Sequence, residues 1–263
     1  MTESKNIAEF YNNYLNRLIR DFLKPNIRTE NAISLSLKKI PKDVRSILDL
    51  GFGLGWSSFE IARHFTRADI KGFDISKELT KTANALFPAD NLSYQSMDLT
   101  RNFPNGKFDA IILLDVFEHI PASKRDLFYR NIKHALTDNG RVIFTCPTVY
   151  HQKYLRDNKP EGLQPVDEDI DIEVILDFAT KTETNLAHFE YLDIWNSRDY
   201  LFAVIERPYK YHTESVNQFI KTVDLLDFYS KYTLLKKSNL SNEIIPTLSH
   251  KQRLKHTLRS LLD

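Results

Sequence analysis

The residues of this chain whose types and spacing can do chemistry begin with Asp49-Leu-Gly-Phe-Gly-Leu-Gly55. Gly51, Gly53 and Gly55 follow a short apolar run that predicts a buried strand, and helical spacing begins at Trp56. Glycine permits positive φ and lets a ligand approach the backbone where a Cβ would clash. A strand, a glycine turn and a helix together bring N–H groups close to a ligand. The spacing differs from the G-x-G-x-x-G of dinucleotide-binding proteins.

Three further acidic residues, Asp74, Asp98 and Asp115, lie at or near the ends of later apolar runs. With Asp49, they place a carboxylate at the end of each of four predicted strands. In open parallel sheets, ligands bind outside the carboxyl ends of the strands, at the topological switch point. The sequence therefore predicts a ligand site built around these four aspartates.

The elements that must position these residues alternate along the chain. Strands are predicted at 47–50, 69–73, 92–95, 108–114 and 141–146, and helices at 56–66, 77–87 and 123–136. This alternation predicts a doubly wound α/β fold with a parallel sheet and helices on both faces. Residues 189–195 and 200–206 predict a hairpin around Asn196-Ser-Arg198. Helices at 7–23 and 26–40, the second capped by Asn26, precede the first strand.

The glycine motif resembles motif I of the class I S-adenosylmethionine (SAM)-dependent methyltransferases, an acidic residue followed by x-G-x-G-x-G. Ala68-Asp-Ile-Lys-Gly-Phe-Asp74 resembles that family's second element, a strand ending in an acidic residue. Leu114-Asp-Val-Phe-Glu-His-Ile-Pro121 resembles the segment after the fourth strand in the small-molecule branch, which includes ubiquinone-pathway O-methyltransferases. Thr137-Asp-Asn-Gly-Arg-Val-Ile-Phe-Thr-Cys-Pro147 is similar to the next glycine turn and strand. The resemblance covers about residues 45–206.

The resemblance implies a mostly parallel, seven-stranded, Rossmann-like sheet whose last strands add an antiparallel pair. It implies a core at 41–206, between an N-terminal helical lid (1–40) and a C-terminal helical extension (207–263). Aromatic and basic residues of the lid are candidates for covering the site, although core packing is the commoner role of aromatics at helical spacing. These candidates are Phe10, Tyr11, Tyr14 and Arg28.

The resemblance also implies residue roles toward SAM, whose product is S-adenosylhomocysteine (SAH). Gly51, Gly53 and Gly55 would hold the methionine part, and Asp49 would support their loop. Asp74 would accept the ribose hydroxyls. Adenine would meet Asp98, with Met97 and Leu99 on one face of the ring and Ile75 on the other. Leu114 and Asp115 complete the cofactor residues.

Three interpretations of Glu118 and His119 stay open. A hydroxyl or ammonium acceptor must lose a proton, and His119, just past the fourth strand, is the candidate general base, with Glu118 beside it. Asp115, Glu118 and His119 also have the i, i+3, i+4 spacing of ligands on one face of a helical turn, so a divalent metal is a less favoured alternative. In the structural interpretation, Asp115 caps a turn and its neighbours hydrogen-bond locally.

Composition bounds the remaining functions. The 263 residues are 42% hydrophobic and carry a net charge of +1, so no strong field attracts nucleic acid. The single cysteine, Cys146, rules out an intramolecular disulfide and fits a reducing compartment. No apolar stretch is long enough to span a membrane, and no signal-peptide region stands at the N-terminus. We expect a cytoplasmic protein.

Two charged stretches complete the chain. Residues 161–177 are rich in Asp and Glu and contain no Lys or Arg; they form either a solvated acidic loop or a wall facing a cation. Beyond Pro208 the chain becomes basic and predicts helices at 216–226 and 254–262, whose apolar residues either pack on the core or form the surface of a homodimer.

The sequence thus predicts a SAM-dependent methyltransferase acting on O or N of a small-molecule or sugar acceptor. Three alternatives remain: a methyltransferase acting on RNA or protein, a non-catalytic SAM-binding subunit, and an NAD- or nucleotide-sugar-binding enzyme of related topology.

Overall fold

The structure, a computed structural model, describes residues 3–24, 26–208 and 226–238. Within these ranges the helices are α1 (Glu3–Asn13), α2 (Leu15–Leu23), α3 (Ile27–Lys39), α4 (Trp56–His64), α5 (Lys77–Leu86), α6 (Ala122–Ala135), α7 (Val149–Asn158), α8 (Ile172–Lys181) and α9 (Phe228–Lys237). The strands are β1 (Ser46–Leu50), β2 (Asp69–Asp74), β3 (Leu92–Ser96), β4 (Phe108–Leu114), β5 (Leu136–Pro147), β6 (Asn185–Leu192) and β7 (Tyr200–Glu206).

The seven strands form one sheet in the order β3-β2-β1-β4-β5-β7-β6. β1 to β5 pair in parallel, whereas β7 runs antiparallel to both β5 and β6. One buried cluster covers each face of this sheet. The doubly wound, mostly parallel fold is therefore confirmed. The strand order reverses between β1 and β4, so their carboxyl ends define the switch point at which a ligand is expected.

The prediction of one continuous helix over 7–23 is wrong, because the structure has two helices there, α1 and α2. The N–H of Tyr14 donates to the carbonyl of Tyr11, only three residues back (3.1 Å), and this tighter turn separates α1 from α2. The next helix, α3, begins as predicted, because the Asn26 side chain accepts a hydrogen bond from the Thr29 N–H.

Two elements around the fifth strand also differ from prediction. The turn expected at Asp138-Asn-Gly140 lies inside β5, which pairs with β4 from Leu136 onward through a register shift between Phe108 and Ala110. The segment after β5 contains α7, which was not predicted. Thr148 is the N-cap of this helix, because its hydroxyl accepts a hydrogen bond from the His151 N–H. A threonine at this position is a helix-start signal that the sequence contains.

Part of the C-terminal extension packs on the helical layer over the site. In α9, Tyr232 and Leu235 are buried, and the Lys231 ammonium lies 3.9 Å from the centre of the Trp56 ring and 3.2 Å from Glu30 Oε1. The helices predicted at 216–226 and 254–262 fall almost entirely outside the described residues. No helix among the described residues is long and apolar enough to cross a membrane.

The single cysteine lies near the carboxyl end of β5. Cys146 of β5 is fully buried, and burial raises the pKa of its thiol well above the ordinary value.

Candidate cofactor and acceptor site

A cavity of about 250 Å³ lies at the carboxyl ends of β1, β2 and β4, under α1, α2 and the first turn of α3. Ten of the predicted site residues line it: Gly51, Gly53, Asp74, Ile75, Met97, Asp98, Leu99, Leu114, Asp115 and His119. Of the lid candidates, Tyr11, Tyr14 and Arg28 also line the cavity. Phe10 instead packs against the rings of Tyr11 and Tyr14. Asp49, Gly55 and Glu118 lie behind the lining.

The glycine loop between β1 and α4 gives the three glycines different surroundings. All three have positive φ. A Cβ on Gly53 would meet only Leu18, at 3.8 Å, so this backbone faces open space in the cavity. A Cβ on Gly51 would come within 2.4 Å of the Val116 side chain, and Gly55 begins α4 against Ala83. Gly53 is therefore the position at which a ligand can approach the loop most closely.

Asp49 lies beneath the loop and is nearly completely buried. Its Oδ2 accepts hydrogen bonds from the hydroxyls of Ser57 (2.8 Å) and Ser58 (2.6 Å). Burial raises the pKa of Asp49 to about 6, and the two hydroxyls limit the rise. Its Oδ1 has no partner among the described residues, which leaves a buried acceptor for one further donor.

Asp74, at the end of β2, reaches the glycine loop from the neighbouring strand. Its Oδ2 accepts the Gly53 N–H (2.9 Å), and its Oδ1 accepts the Ser76 N–H (2.8 Å). Burial raises the pKa of Asp74 to about 6 in spite of these bonds. A carboxylate retains further acceptor sites, so Asp74 can also accept from ligand hydroxyls.

Asp98 lies in the turn after β3, where it is held by its own segment. Its Oδ1 accepts the N–H (3.0 Å) and the hydroxyl (2.7 Å) of Thr100, and Arg101 Nε lies 3.3 Å from its Oδ2. Met97 and Leu99 flank it in the cavity wall and provide the apolar surface that a flat ring would need.

Asp115, directly after β4, has a left-handed backbone with φ of 56°. Such a conformation is uncommon for a non-glycine residue and concentrates at functional sites. The Asp115 Oδ1 accepts the Thr145 hydroxyl (3.0 Å), and its Oδ2 forms an ion pair with the Arg28 guanidinium of α3.

His119 lies in a 3₁₀ turn after β4 and is surrounded by acceptors. Its Nδ1 is 2.6 Å from the Val166 carbonyl, which can only accept, so Nδ1 carries a proton. Its Nε2 is 3.7 Å from Glu118 Oε1, and Asp167 Oδ1 is 3.1 Å from Nδ1. Burial acts to lower the pKa of His119, but Glu118, Asp167 and the Val166 carbonyl together raise it above its ordinary value.

Glu118 is fully buried behind His119. Burial raises the pKa of the Glu118 carboxyl, against the charges of His119 and Arg28. Its Oε2 has no partner in the part of the chain that the structure describes.

Residues 161–177, predicted to form either a solvated acidic loop or a wall facing a cation, contain side chains of both kinds. Asp169 pairs with Arg156 at the surface (2.9 Å), whereas Asp167 lies beside His119 and Gln164 lines the cavity. The Tyr11 hydroxyl of α1 donates to Gln164 Oε1 (2.7 Å), which ties the lid to this loop. Neither Gln164 nor Asp167 was singled out from the sequence as a site residue; the acidic composition was the only signal.

The metal alternative does not fit this geometry. Among the described residues, no group of three or more His, Cys, Asp and Glu side chains is placed to hold a metal ion. The i, i+3, i+4 face does not form, because the left-handed Asp115 precedes the 3₁₀ turn that carries Glu118 and His119. Asp115 turns instead toward Arg28 and Thr145.

The strand order and the cavity at its switch point define a Rossmann-like methyltransferase fold, and residues 47–140 match a family model described as a methyltransferase domain. This match and the fold make the chain a methyltransferase that uses SAM as its methyl donor. They do not support the competing NAD-binding interpretation.

The chain is similar to individual methyltransferases that act on different molecules. The chain is 26% identical over 220 residues to phosphoethanolamine N-methyltransferase of Plasmodium falciparum, a match covering 76% of this chain and 78% of that protein. It is 29% identical over 119 residues to a probable chloroplastic tocopherol O-methyltransferase of Oryza sativa subsp. japonica, covering 42% of this chain and 32% of that one. Among solved structures, magnesium protoporphyrin IX methyltransferase of Synechocystis PCC 6803 with bound SAH superimposes with a TM-score of 0.60 at 17% identity, covering 79% and 100% of the two chains.

Proposed function

We propose that this enzyme methylates a nitrogen or an oxygen of a small molecule, and that an amine is the favoured acceptor. The observation that carries this is the composition of the cavity wall beyond the glycine loop. There, the Asp115 carboxylate lies in the same cavity as the rings of Tyr11 and Tyr14, with Glu118 behind. Carboxylates and aromatic faces both attract an ammonium group, and more strongly where water is excluded.

The cofactor end of the cavity comprises Gly53, Asp74, Met97 and Asp98. Gly53 allows close approach, Asp74 accepts hydroxyls, and Asp98 with its apolar neighbours receives a flat ring. SAM supplies a methyl group on a positively charged sulfonium sulfur, so the protein has mainly to position the reactants.

His119 is proposed as the general base. Because its Nδ1 donates to the Val166 carbonyl, Nε2 is the nitrogen that accepts the acceptor's proton. The imidazolium formed is stabilised by Glu118 and Asp167, which flank the ring. Tyr11, tied to Gln164, covers the base from the lid side, its ring centre 6.3 Å from that of His119. The same base serves a hydroxyl acceptor, such as the sugar that the sequence favoured.

The relatives support this proposal without fixing the acceptor, since one is named for N-methylation and the other for O-methylation of a small molecule. An RNA acceptor is less favoured, because the acidic side chains of Asp115 and Asp167 at the cavity repel a phosphate-rich polymer.

The test is methyl transfer from SAM labelled in its methyl group to a panel of small amines and hydroxyl compounds. We expect transfer to an amine, and we expect His119→Ala to slow turnover by about 10²–10⁴-fold while leaving SAH affinity unchanged. His134→Ala, an exposed histidine on α6, is the matched control. Unaltered turnover in His119→Ala would remove the base assignment.

A further inference from the structure

An ion pair between Arg28 and Asp115 lies inside the cavity and connects α3 to the end of β4. Their side chains are 24% and 17% exposed, so both charges are partly desolvated. The Arg28 Nε is buried and has no partner among the described residues, and its guanidinium lies 5.7 Å from the centre of the Tyr200 ring. The guanidinium thus retains an unused donor.

The pair is not needed to anchor α3. That helix is capped by Asn26 and buries Ala32, Ile33 and Leu37 against the core. Holding two opposite charges out of water is costly and often contributes little to stability. A function in ligand binding accounts better for a charge pair at this place.

The surroundings of Arg28 place it on the acceptor side of the cavity. Burial raises the pKa of Glu118 and of Tyr200, and the nearby charge of Arg28 opposes both rises; neither residue belongs to the cofactor end. Asp74, at the cofactor end, is held by backbone N–H groups instead. Asp115 precedes His119 by four residues and shares the same cavity wall.

We propose that the acceptor is a zwitterion, whose amino group binds Asp115 and whose carboxylate or phosphate-type group binds Arg28. The inference rests on the proposed amine methylation and adds the second charge. The internal pair occupies the positions that the two acceptor charges take, and it opens when they arrive. A zwitterion gives both Asp115 and Arg28 a new partner of opposite charge. An amine with a neutral tail binds Asp115 only, and it leaves the Arg28 guanidinium partly buried without a partner. Arg28 thereby selects acceptors that carry an anion.

The experiment measures binding and methylation for two matched probe pairs with the full chain. Each pair joins a zwitterion to an amine with an uncharged tail: 2-aminoethylphosphonate with propylamine, and β-alanine with β-alaninamide. Calorimetry on the SAH complex gives affinity, and labelled SAM gives turnover. We expect at least one zwitterion to bind at least about tenfold more tightly than its neutral partner. Arg28→Met should abolish this preference, and Arg28→Lys should retain part of it. Arg20→Met, an exposed arginine on α2, should match the wild type.

Each outcome decides a different question. Arg28-dependent zwitterion binding without turnover supports this inference and contradicts the proposed function. Turnover of the neutral amines at equal efficiency supports the proposed function and overturns this inference. Absence of both binding and turnover for all four probes overturns both.

A final comparison separates the acceptor's anion from the carboxylate of the cofactor. 5′-Methylthioadenosine lacks the carboxylate that SAH carries. If Arg28→Met weakened SAH binding about tenfold or more and left 5′-methylthioadenosine binding unchanged, Arg28 would bind the cofactor, and the inference would be wrong. Melting temperatures of the variants show that the fold is retained.

Discussion

The four aspartates of the site, although each lies at or near the carboxyl end of a strand, have four different environments. Asp49 accepts serine hydroxyls, Asp74 accepts backbone N–H groups, Asp98 accepts from Thr100, and Asp115 faces an arginine. These partners decide how readily each carboxylate ionises and what further donors it can take. Asp74 is the one whose bonds lead directly to the glycine loop.

Asp74→Ala is expected to weaken SAH binding by at least about tenfold. The substitution removes the carboxylate proposed for the ribose hydroxyls, and each charged hydrogen bond contributes about 1.5–3 kcal/mol. Calorimetry measures the dissociation constant. Asp69→Ala, an exposed residue on the same strand, is the control and should bind normally. An unchanged dissociation constant in a folded Asp74→Ala protein would end the assignment.

The affinity for SAH is expected to fall as the pH drops from 7 to 5. Burial raises the pKa of Asp74, which lines the cavity, to about 6, so this carboxyl becomes protonated in this window when the ligand is absent. A ligand that donates to the carboxylate favours the ionised form, so binding must release the proton and weakens by up to about tenfold per pH unit. Asp74→Asn should flatten the profile. A wild-type dissociation constant independent of pH would contradict the role of this carboxylate.

The predictability of the site differs from residue to residue. The strand-end aspartates could be found because apolar runs mark where buried strands stop. Their partners could not, because Arg28 and Thr145 lie 87 and 30 residues from Asp115 and meet it only in the folded chain. Gln164 and Asp167 come from an irregular loop, whose course no periodicity describes.

At the scale of elements, the loop joining β1 to α4 allows two glycines to be compared. Gly53→Ala should cost about 1–2 kcal/mol of stability for its left-handed backbone, with no steric clash, and should lower SAH affinity because the new methyl group enters the cavity. Gly51→Ala should lose about 1–3 kcal/mol more, because its Cβ would overlap Val116. Chemical unfolding and calorimetry measure the two effects, with the exposed Gly162→Ala as control. Equal stability losses would contradict the packing difference.

The elements show where local patterns fail. The apolar residues over 7–23 keep the helical period on both sides of Tyr14, so the sequence predicted one helix. Periodicity does not reveal a single tight turn between two helices when both continue the same apolar pattern. The extension of β5 back to Leu136 depends on pairing with β4, which overrides the turn preference of Asp138-Asn-Gly140.

At the scale of the whole molecule, SAH is expected to raise the melting temperature and NADH is not. A ligand at a hundred times its dissociation constant stabilises the native state by about 2.7 kcal/mol, or roughly 5–10 °C for a chain of this size. Differential scanning fluorimetry measures the shift. A shift with NADH equal to that with SAH would contradict the choice of ligand that the glycine spacing implies.

The global architecture was the most predictable level, because alternating strands and helices leave few right-handed parallel topologies. The antiparallel strand β7, which lies between β5 and β6, was expected from the resemblance. The N-terminal helices were expected over the site on the same basis, but the contact of Tyr11 with Gln164 was not.

The buried Cys146 has a practical consequence for following the lid in solution. Its thiol is inaccessible and its pKa is raised, so thiol reagents react slowly with the native protein. The chain therefore behaves as a cysteine-free background. A single cysteine introduced at an exposed position of α1 would then be the only thiol that a spectroscopic label modifies. The signal of that label would report when the helical lid opens to admit a substrate and to release a product.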